Sequence, residues 1–161
     1  GVSGPNNIRR VKMNPAELVT LHLHSDSIPW VDFGGGTSVR ILHARPSENF
    51  IVTQINADPG SESQLHRHLG PVFGWTVEGR WGHDRTYEYR PGTYIFETPG
   101  VLHKFLGGDQ PINAVFMSFG ILEFVDEDTQ EVIQSLGPEA VVQHYMQKCE
   151  ELGLGRPNIL S

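Results

Sequence analysis

The stretch Gly60-Ser-Glu-Ser-Gln-Leu-His66-Arg-His68 carries the most information about this chain. It follows an Asp-Pro turn signal and places two imidazoles two residues apart. On a β-strand, residues i and i+2 point to the same face, with Cβ atoms about 6–7 Å apart, so both rings can reach one metal ion. A third histidine follows in Thr-Pro-Gly-Val-Leu-His103. This spacing predicts a metal site made of His66, His68 and His103.

A second pair with the same spacing, His22 and His24, lies in a different sequence context. A short helix is predicted to begin at Asn14-Pro15, with Asn14 as its N-cap and Pro15 at the first helical position, and the pair falls at its end. Side chains two residues apart on a helix diverge. We therefore do not expect His22 and His24 to share a metal.

The composition excludes several classes of function. A chain of 161 residues with 38% hydrophobic residues suits one globular domain. The net charge is −7 and no run of Lys or Arg occurs, so neither nucleic acid nor an anionic membrane is an expected partner. No apolar run approaches the ~18–20 residues that span a bilayer, and no signal-peptide pattern opens the sequence. The single cysteine, Cys149, cannot form an intrachain disulfide, which favours a cytoplasmic location.

Short strand patterns separated by Gly and Pro turns every ~8–12 residues are typical of a β-sandwich or barrel. The predicted strands are 39–44, 50–55, 72–77, 81–89, 93–97 and 112–119, with one more around His103. Strand 81–89 is expected to pair with 72–77 as a hairpin. A helix is predicted to begin at Pro138 and to stop at Gly153. The expected organisation is an N-terminal tail and short helix at 1–29, a barrel at 30–125, and a C-terminal helix and tail at 126–161.

The two histidine blocks resemble the two conserved motifs of the cupin superfamily, G-x5-H-x-H-x(3–4)-E-x6-G and G-x5-P-x-G-x2-H-x3-N. The glycines of both motifs are kept in this chain. Three positions depart from the pattern: Val72 stands for the glutamate, Thr98 for the proline and Gly107 for the asparagine. The resemblance implies an all-β fold, a single-domain double-stranded β-barrel of the jelly-roll type, here with a C-terminal α-helix. It also implies that the metal ligands face into the barrel and are reduced to three histidines.

Much of residues 30–154 also resembles a narrower cupin group, which includes 2,4′-dihydroxyacetophenone dioxygenase and is similar to acetylacetone-cleaving dioxygenases. The runs that carry the resemblance are His66-Arg-His-Leu-Gly-Pro-Val, Glu-Gly-Arg-Trp81 and Pro91-Gly-Thr-Tyr-Ile-Phe-Glu. These enzymes hold a non-haem Fe(II) with histidines and cleave a C–C bond with O2. Where the group often has a further histidine after Gly-Pro-Val, this chain has Phe73.

The resemblance also suggests where a further carboxylate ligand would lie. Some members of the group add one from the strand after the Glu-Gly-x-Trp turn, which makes Asp84 and Glu88 candidates here. Glu97 is a candidate for orienting the imidazoles, because strand alternation puts it on one face with Thr93 and Ile95. The alternative for Glu97 is a solvated acid or a salt bridge to Arg67 or Arg90, and Tyr87 and Tyr89 are candidates for a hydroxyl near the substrate.

Imidazole binds several divalent metals, so the histidines alone do not select one. We expect one divalent ion, with Fe(II) favoured and Zn, Ni, Mn or Co possible in a purified sample. Three neutral histidines leave the ion its full charge. Such a site favours an anionic bidentate substrate, for example an enolised diketone or a deprotonated hydroxyketone.

The leading hypothesis is an Fe(II)-dependent dioxygenase that cleaves a C–C bond adjacent to a carbonyl group, with a small ketone and O2 as its substrates. One alternative is an oxygen-independent isomerase or lyase that acts through a metal-bound enolate. Another is a non-catalytic metal-binding cupin sensor. A homodimer is also expected, because cupins commonly pair edge strands, which covers exposed sheet edges.

Overall fold

A computed structural model describes residues 20–160, which form eleven strands and one α-helix. The strands are β1 Val31–Gly34, β2 Thr37–Arg45, β3 Phe50–Ala57, β4 His66–His68, β5 Val72–Glu78, β6 Trp81–Gly82, β7 Tyr94–Glu97, β8 Leu106–Gly107, β9 Ile112–Phe119, β10 Leu122–Val125 and β11 Val132–Leu136. The helix α1 is Pro138–Glu151. Two short 3₁₀ turns lie at Ser25–Ser27 and Pro46–Glu48.

The strands form a two-layered barrel. One sheet has six antiparallel strands in the order β1-β2-β3-β9-β5-β7, and a smaller sheet has the order β11-β10-β4. A short pair, β6-β8, forms a separate two-stranded sheet. Side chains from both sheets line a common cavity, so the sheets face each other across it. The predicted all-β cupin fold with one C-terminal helix is confirmed.

Strand alternation fills the barrel interior with apolar side chains. On β5 and β9, every second residue points inward, and Val72 and Phe116 are buried there. A Cβ atom at Gly74 would lie 2.8 Å from both Ile95 and Phe116, so only glycine fits at this point of the wall. Glycine at 74 therefore leaves room for the side chains of Ile95 and Phe116, which are its partners on the two neighbouring strands.

The helix packs on the outside of the barrel and builds a second core. Pro138 occupies the first turn, where its missing N–H costs nothing. The buried residues Val142, Tyr145 and Cys149 then follow at helical spacing, as the sequence predicts. The Tyr145 hydroxyl donates a hydrogen bond to the carbonyl oxygen of Pro29, which ties α1 to the chain just before β1. Because α1 is held in this way, it can serve as a fixed wall beside the barrel.

The predicted hairpin of residues 72–77 with 81–89 is wrong. Strand β5 pairs with β7 and β9, and only Trp81 and Gly82 of the predicted partner form a strand, which pairs with β8. The turn signal at Glu78-Gly79 is real, since Gly79 has a φ of 75°. The chain that follows the turn leaves the sheet, so the edge of β5 that it leaves open pairs with β7.

The N-terminal and C-terminal boundaries also differ from expectation. The helix predicted from Asn14-Pro15 lies largely outside the described residues, and residues 20–24, where it was expected to end, are not helical. Strand β11 pairs with β10, so the predicted barrel limit at residue 125 falls inside this hairpin. Within the described part of the chain, no helix is long and apolar enough to span a bilayer.

Candidate metal centre

The three predicted histidines come together inside the barrel. His66 and His68 lie on β4, and His103 lies in the loop after β7. Reciprocal backbone hydrogen bonds of 3.0 Å join His66 and His103, which fixes the loop opposite the strand. One ring nitrogen of each histidine lies within 4.8 Å of the others. The i, i+2 spacing on β4 therefore aims both rings at the point that His103 also reaches.

The surroundings of the rings keep them neutral. Burial lowers the pKa of His68 and of His103 to about 4, and it also lowers the pKa of His66. The Nδ1 atom of His66 donates to the carbonyl oxygen of Gln64 at 2.7 Å, so its Nε2 atom keeps a free lone pair. Neutral imidazoles with an oriented lone pair are the form in which histidine binds a metal.

His103 supplies a test of whether these residues suit a metal. Its Nε2 atom is buried and has no hydrogen-bond partner among the described residues. Buried polar atoms are nearly always paired, and leaving one unpaired costs about 1–3 kcal/mol. A divalent cation would give this nitrogen a partner together with His66 and His68, so the donor set fits such an ion.

Glu97 is the carboxylate of the cluster. Its side chain is buried, and Oε2 lies 3.6 Å from Nε2 of His103 and 3.7 Å from Nε2 of His68. Burial alone raises the pKa of Glu97, but the hydrogen bond from His83 and the interactions with His103 and His68 outweigh it and hold the pKa below its ordinary value. The alternative of a solvated acid or a surface ion pair with Arg67 or Arg90 does not hold, because Glu97 is buried and its ion-pair partners are His68, His83 and His103.

His83 also belongs to the cluster, although the sequence did not predict it. Its Nε2 atom donates to Oε1 of Glu97 at 3.0 Å, and its Nδ1 atom accepts from the Tyr89 hydroxyl at 3.0 Å. The ring stacks on His103 with a centroid distance of 4.1 Å. His83, Glu97 and His103 form a second group with metal-ligand spacing. No local signal in the sequence pointed to His83, because it lies in the loop after β6 and not in the strand expected at 81–89.

The other acidic candidates lie outside the cluster. Asp84 is exposed and accepts a hydrogen bond from the backbone N–H of Thr86 at 2.9 Å. Glu88 is also exposed. Neither belongs to a group with ligand spacing among the described residues. Tyr87 has a positive φ of 50° in the same loop, and the hydroxyl that reaches the cluster is that of Tyr89 instead.

Two departures from the cupin motifs have a structural explanation. Val72, at the glutamate position, is 1% exposed and lies directly opposite Glu97 in the β5–β7 ladder. Opposed residues of antiparallel strands point to the same side of the sheet, so Glu97 presents a carboxylate to the inner face opposite position 72. Gly107 replaces the asparagine, and a Cβ there would lie 2.7 Å from the Ser61 hydroxyl.

A cavity of about 270 Å³ opens from the histidine cluster into the barrel. Its walls include His66, His68, Glu97 and the apolar side chains of Val72 and Phe116. The ion-binding groups thus lie at the side of a largely apolar chamber that can hold a small molecule.

The two-layered barrel with inward-facing histidines defines a cupin with a candidate metal site. The chain belongs to the family of ChrR cupin-like domains, which matches residues 19–123. A comparison with curated proteins found no match.

Solved structures with the same fold include several cupins. An RmlC-like cupin from Ralstonia eutropha is 21% identical, with a TM-score of 0.81 over 92% of this chain and 99% of that one. An acetylacetone dioxygenase from Acinetobacter johnsonii is 20% identical, with a TM-score of 0.69 over 81% and 92%. The polyketide cyclase RemF from Streptomyces resistomycificus is 16% identical, with a TM-score of 0.54 over 89% and 100%. At these identities the similarity shows the fold alone.

Proposed function

We propose that this protein is a metal-dependent dioxygenase, with non-haem Fe(II), that uses O2 to cleave a C–C bond adjacent to a carbonyl group in a diketone or hydroxyketone. The observation that carries the proposal is the group of three half-buried histidines at the side of a largely apolar cavity, with ring nitrogens within 4.8 Å of one another. Three protein ligands leave coordination positions open, which is typical of catalytic rather than structural sites. The fold shared with an acetylacetone dioxygenase agrees with the proposal.

Each residue of the cluster has a role in this proposal. His66, His68 and His103 hold the ion, which supplies Lewis-acid and redox chemistry when it is bound. Oε2 of Glu97 faces the same point and is the atom placed to accept the acidic proton of an incoming diketone. His83 orients Glu97 through the hydrogen bond to Oε1.

The apolar walls complete the chemistry by excluding water. Val72 is almost fully buried next to the cluster, and Phe116 is 7% exposed. Interactions between charged groups are stronger in such a low-dielectric site than in water. A chelating anion would therefore bind more firmly here than at an exposed ion.

The test is oxygen consumption by protein that has been reconstituted with Fe(II) under anaerobic conditions. With acetylacetone or dihydroxyacetophenone, we expect substrate-dependent O2 uptake that is lost in His103→Ala. Full iron loading without O2 uptake across a panel of diketones and hydroxyketones would contradict the proposal.

An oxygen-independent isomerase or lyase is the second candidate, and the position of Glu97 favours it. A buried carboxylate beside three candidate ligands can move a proton on a bound enolisable ketone without any oxidant. Turnover under strict anaerobic conditions distinguishes the two candidates. It would support the isomerase or lyase and count against the dioxygenase.

The cellular location and the oligomeric state are also part of the proposal. We propose a cytoplasmic location, because the single cysteine, Cys149, is buried as a free thiol. We also propose a homodimer, with no nucleic-acid or membrane partner, in keeping with the acidic net charge of −7.

A further inference from the structure

The charged and titratable side chains of the cavity wall are confined to the histidine cluster. Among the described residues that line the cavity, Glu97 is the only carboxylate, and none is a Lys or an Arg. The histidines that line it belong to the cluster around Glu97. Burying an unpaired charge is costly, so a ligand cannot place a phosphate or a second carboxylate in this chamber. A bound molecule can carry negative charge only where it meets the cluster.

The strand order places the two ends of the cavity apart. In the small sheet, β4 carries the histidines at one edge, and β11 contributes Leu136 at the opposite edge, two strands away. With strands about 4.8 Å apart, that separation is about 10 Å. Pro138 and Val141 of α1 add to the wall beside Leu136. The part of the wall that β11 and α1 contribute is therefore apolar, and the large sheet adds the hydroxyl groups of Thr37 on β2 and Thr53 on β3.

The volume is large enough for an aromatic body. An apolar cavity of about 150 Å³ can take up a benzene molecule. The cavity here is about 270 Å³. It can therefore hold a ring in addition to a chelating group at the cluster.

We propose that the site takes a ketone with one chelating end and an uncharged apolar body of at least aromatic-ring size, and that Leu136 and Val141 set the length of that body. The inference rests on the proposed function for the nature of the chelating end. It excludes organic phosphates and dicarboxylates as substrates, because the described lining offers no Lys or Arg to pair with a second negative charge.

The first experiment compares two diketones that share a chelating end. Benzoylacetone carries a phenyl ring where acetylacetone has a methyl group. By anaerobic calorimetry on the metal-loaded protein, we expect benzoylacetone to bind about 10- to 100-fold more tightly, the gain expected from burying a phenyl-sized group. In Val141→Trp, which fills the far end, this preference should disappear while acetylacetone affinity stays within about twofold.

A matched control lies on the same helix. Gln143 is exposed, so Gln143→Trp should leave the affinities of both diketones unchanged. Val141→Ala, a smaller change that keeps the fold, should improve binding of a naphthyl diketone relative to benzoylacetone. Equal affinity of the wild-type protein for benzoylacetone and acetylacetone would overturn the inference, and so would equal losses of both ligands in Val141→Trp.

A second measurement separates this inference from the proposed function. Butyrophenone has the phenyl body but no acidic chelating group, so metal-free protein should bind it, and Val141→Trp should weaken that binding about tenfold or more. If butyrophenone binds in this way while iron-loaded protein shows no O2 uptake, the apolar specificity stands and the dioxygenase proposal fails. If wild-type protein does not bind butyrophenone, the apolar inference is wrong whatever the activity.

Discussion

His83 and Glu97 show how single residues organise the centre of this barrel. Glu97 has one carboxylate oxygen toward His83 and the other toward His68 and His103. The Tyr89 hydroxyl holds the far side of the His83 ring. A chain of hydrogen bonds of this kind fixes the direction of a carboxylate, and such supporting groups commonly tune metal affinity.

We expect Glu97→Gln to weaken metal affinity about 10- to 100-fold, and His83→Ala to weaken it about tenfold, since it leaves the carboxylate in place without its orienting partner. Chelator competition measures both values. Asp84→Asn is the control, because Asp84 is exposed and bonded to Thr86. Metal affinity unchanged in Glu97→Gln would show that the carboxylate has no part in the site.

At the scale of elements, the β5–β7 ladder explains how the site can lack the glutamate of the first cupin motif. Val72 and Glu97 are direct partners across the two strands. Both side chains are buried on the inner face. Glu97 therefore brings a carboxylate to the inner face about 5 Å from the position where the motif has its glutamate.

This register predicts the result of moving the carboxylate back. Val72→Glu should strengthen metal retention and suppress ketone-dependent O2 uptake, because a fourth ligand fills an open position. In Val72→Glu with Glu97→Val, the number of carboxylates returns to one, and metal retention should recover relative to Glu97→Val alone. Chelator-induced metal loss and oxygen-electrode assays check these outcomes. Retention and activity that do not change in Val72→Glu would contradict the inward register.

The sequence predicted those parts of the site that depend on local spacing. The i, i+2 pair on β4 and the turn-framed His103 were accessible because strand periodicity alone sets their direction. His83 was missed because the expected hairpin placed its segment in the sheet, whereas the structure has a loop after Gly82. Which strand pairs with β5 is decided by contacts far apart in sequence, so the position of Glu97 opposite Val72 could not be read from either segment.

On the scale of the whole molecule, burial of the cluster links stability to pH. In metal-free protein, His68 and His103 have a pKa of about 4, against 6.5 for an exposed imidazole. Between these values the unfolded chain binds protons that the folded chain does not. The free energy of unfolding should therefore fall as the pH drops from about 6.5 to about 4, by roughly 3 kcal/mol for one such histidine.

Protons on neighbouring groups are coupled, so the loss for the cluster is smaller than the sum over His66, His68 and His103. The lowered pKa of Glu97 acts in the same direction, because its carboxylate contributes stability that is lost in acid. Urea unfolding of metal-free protein at several pH values measures the slope. His68→Gln should flatten it, whereas His22→Ala, at an exposed site, should not. Equal slopes in wild type and His68→Gln would contradict this account.

The predicted homodimer has a candidate surface at the edge of the large sheet. Strand β7 is an edge strand of this sheet. Tyr94 and Phe96 on β7, and Trp75 on the neighbouring β5, are about half exposed on the outer face of the sheet. An antiparallel edge can pair with a second copy of itself around a two-fold axis, which would cover this edge. We expect Phe96→Lys to convert a dimer to a monomer in light scattering. Ile133→Lys, at an exposed apolar residue of β11, is the control, and a dimer that survives Phe96→Lys would exclude this surface.

The metal content of protein purified without chelator or nickel resin tests the central claim most directly. The account predicts about one divalent ion per chain, with iron the principal metal, and loss of that ion in each of His66→Ala, His68→Ala and His103→Ala. The double variant His22→Ala with His24→Ala has the same sequence spacing at an exposed position and should keep the ion. Metal-free protein, or metal content near wild type in all three single variants, would contradict the account, and stoichiometric zinc would weaken its dioxygenase part.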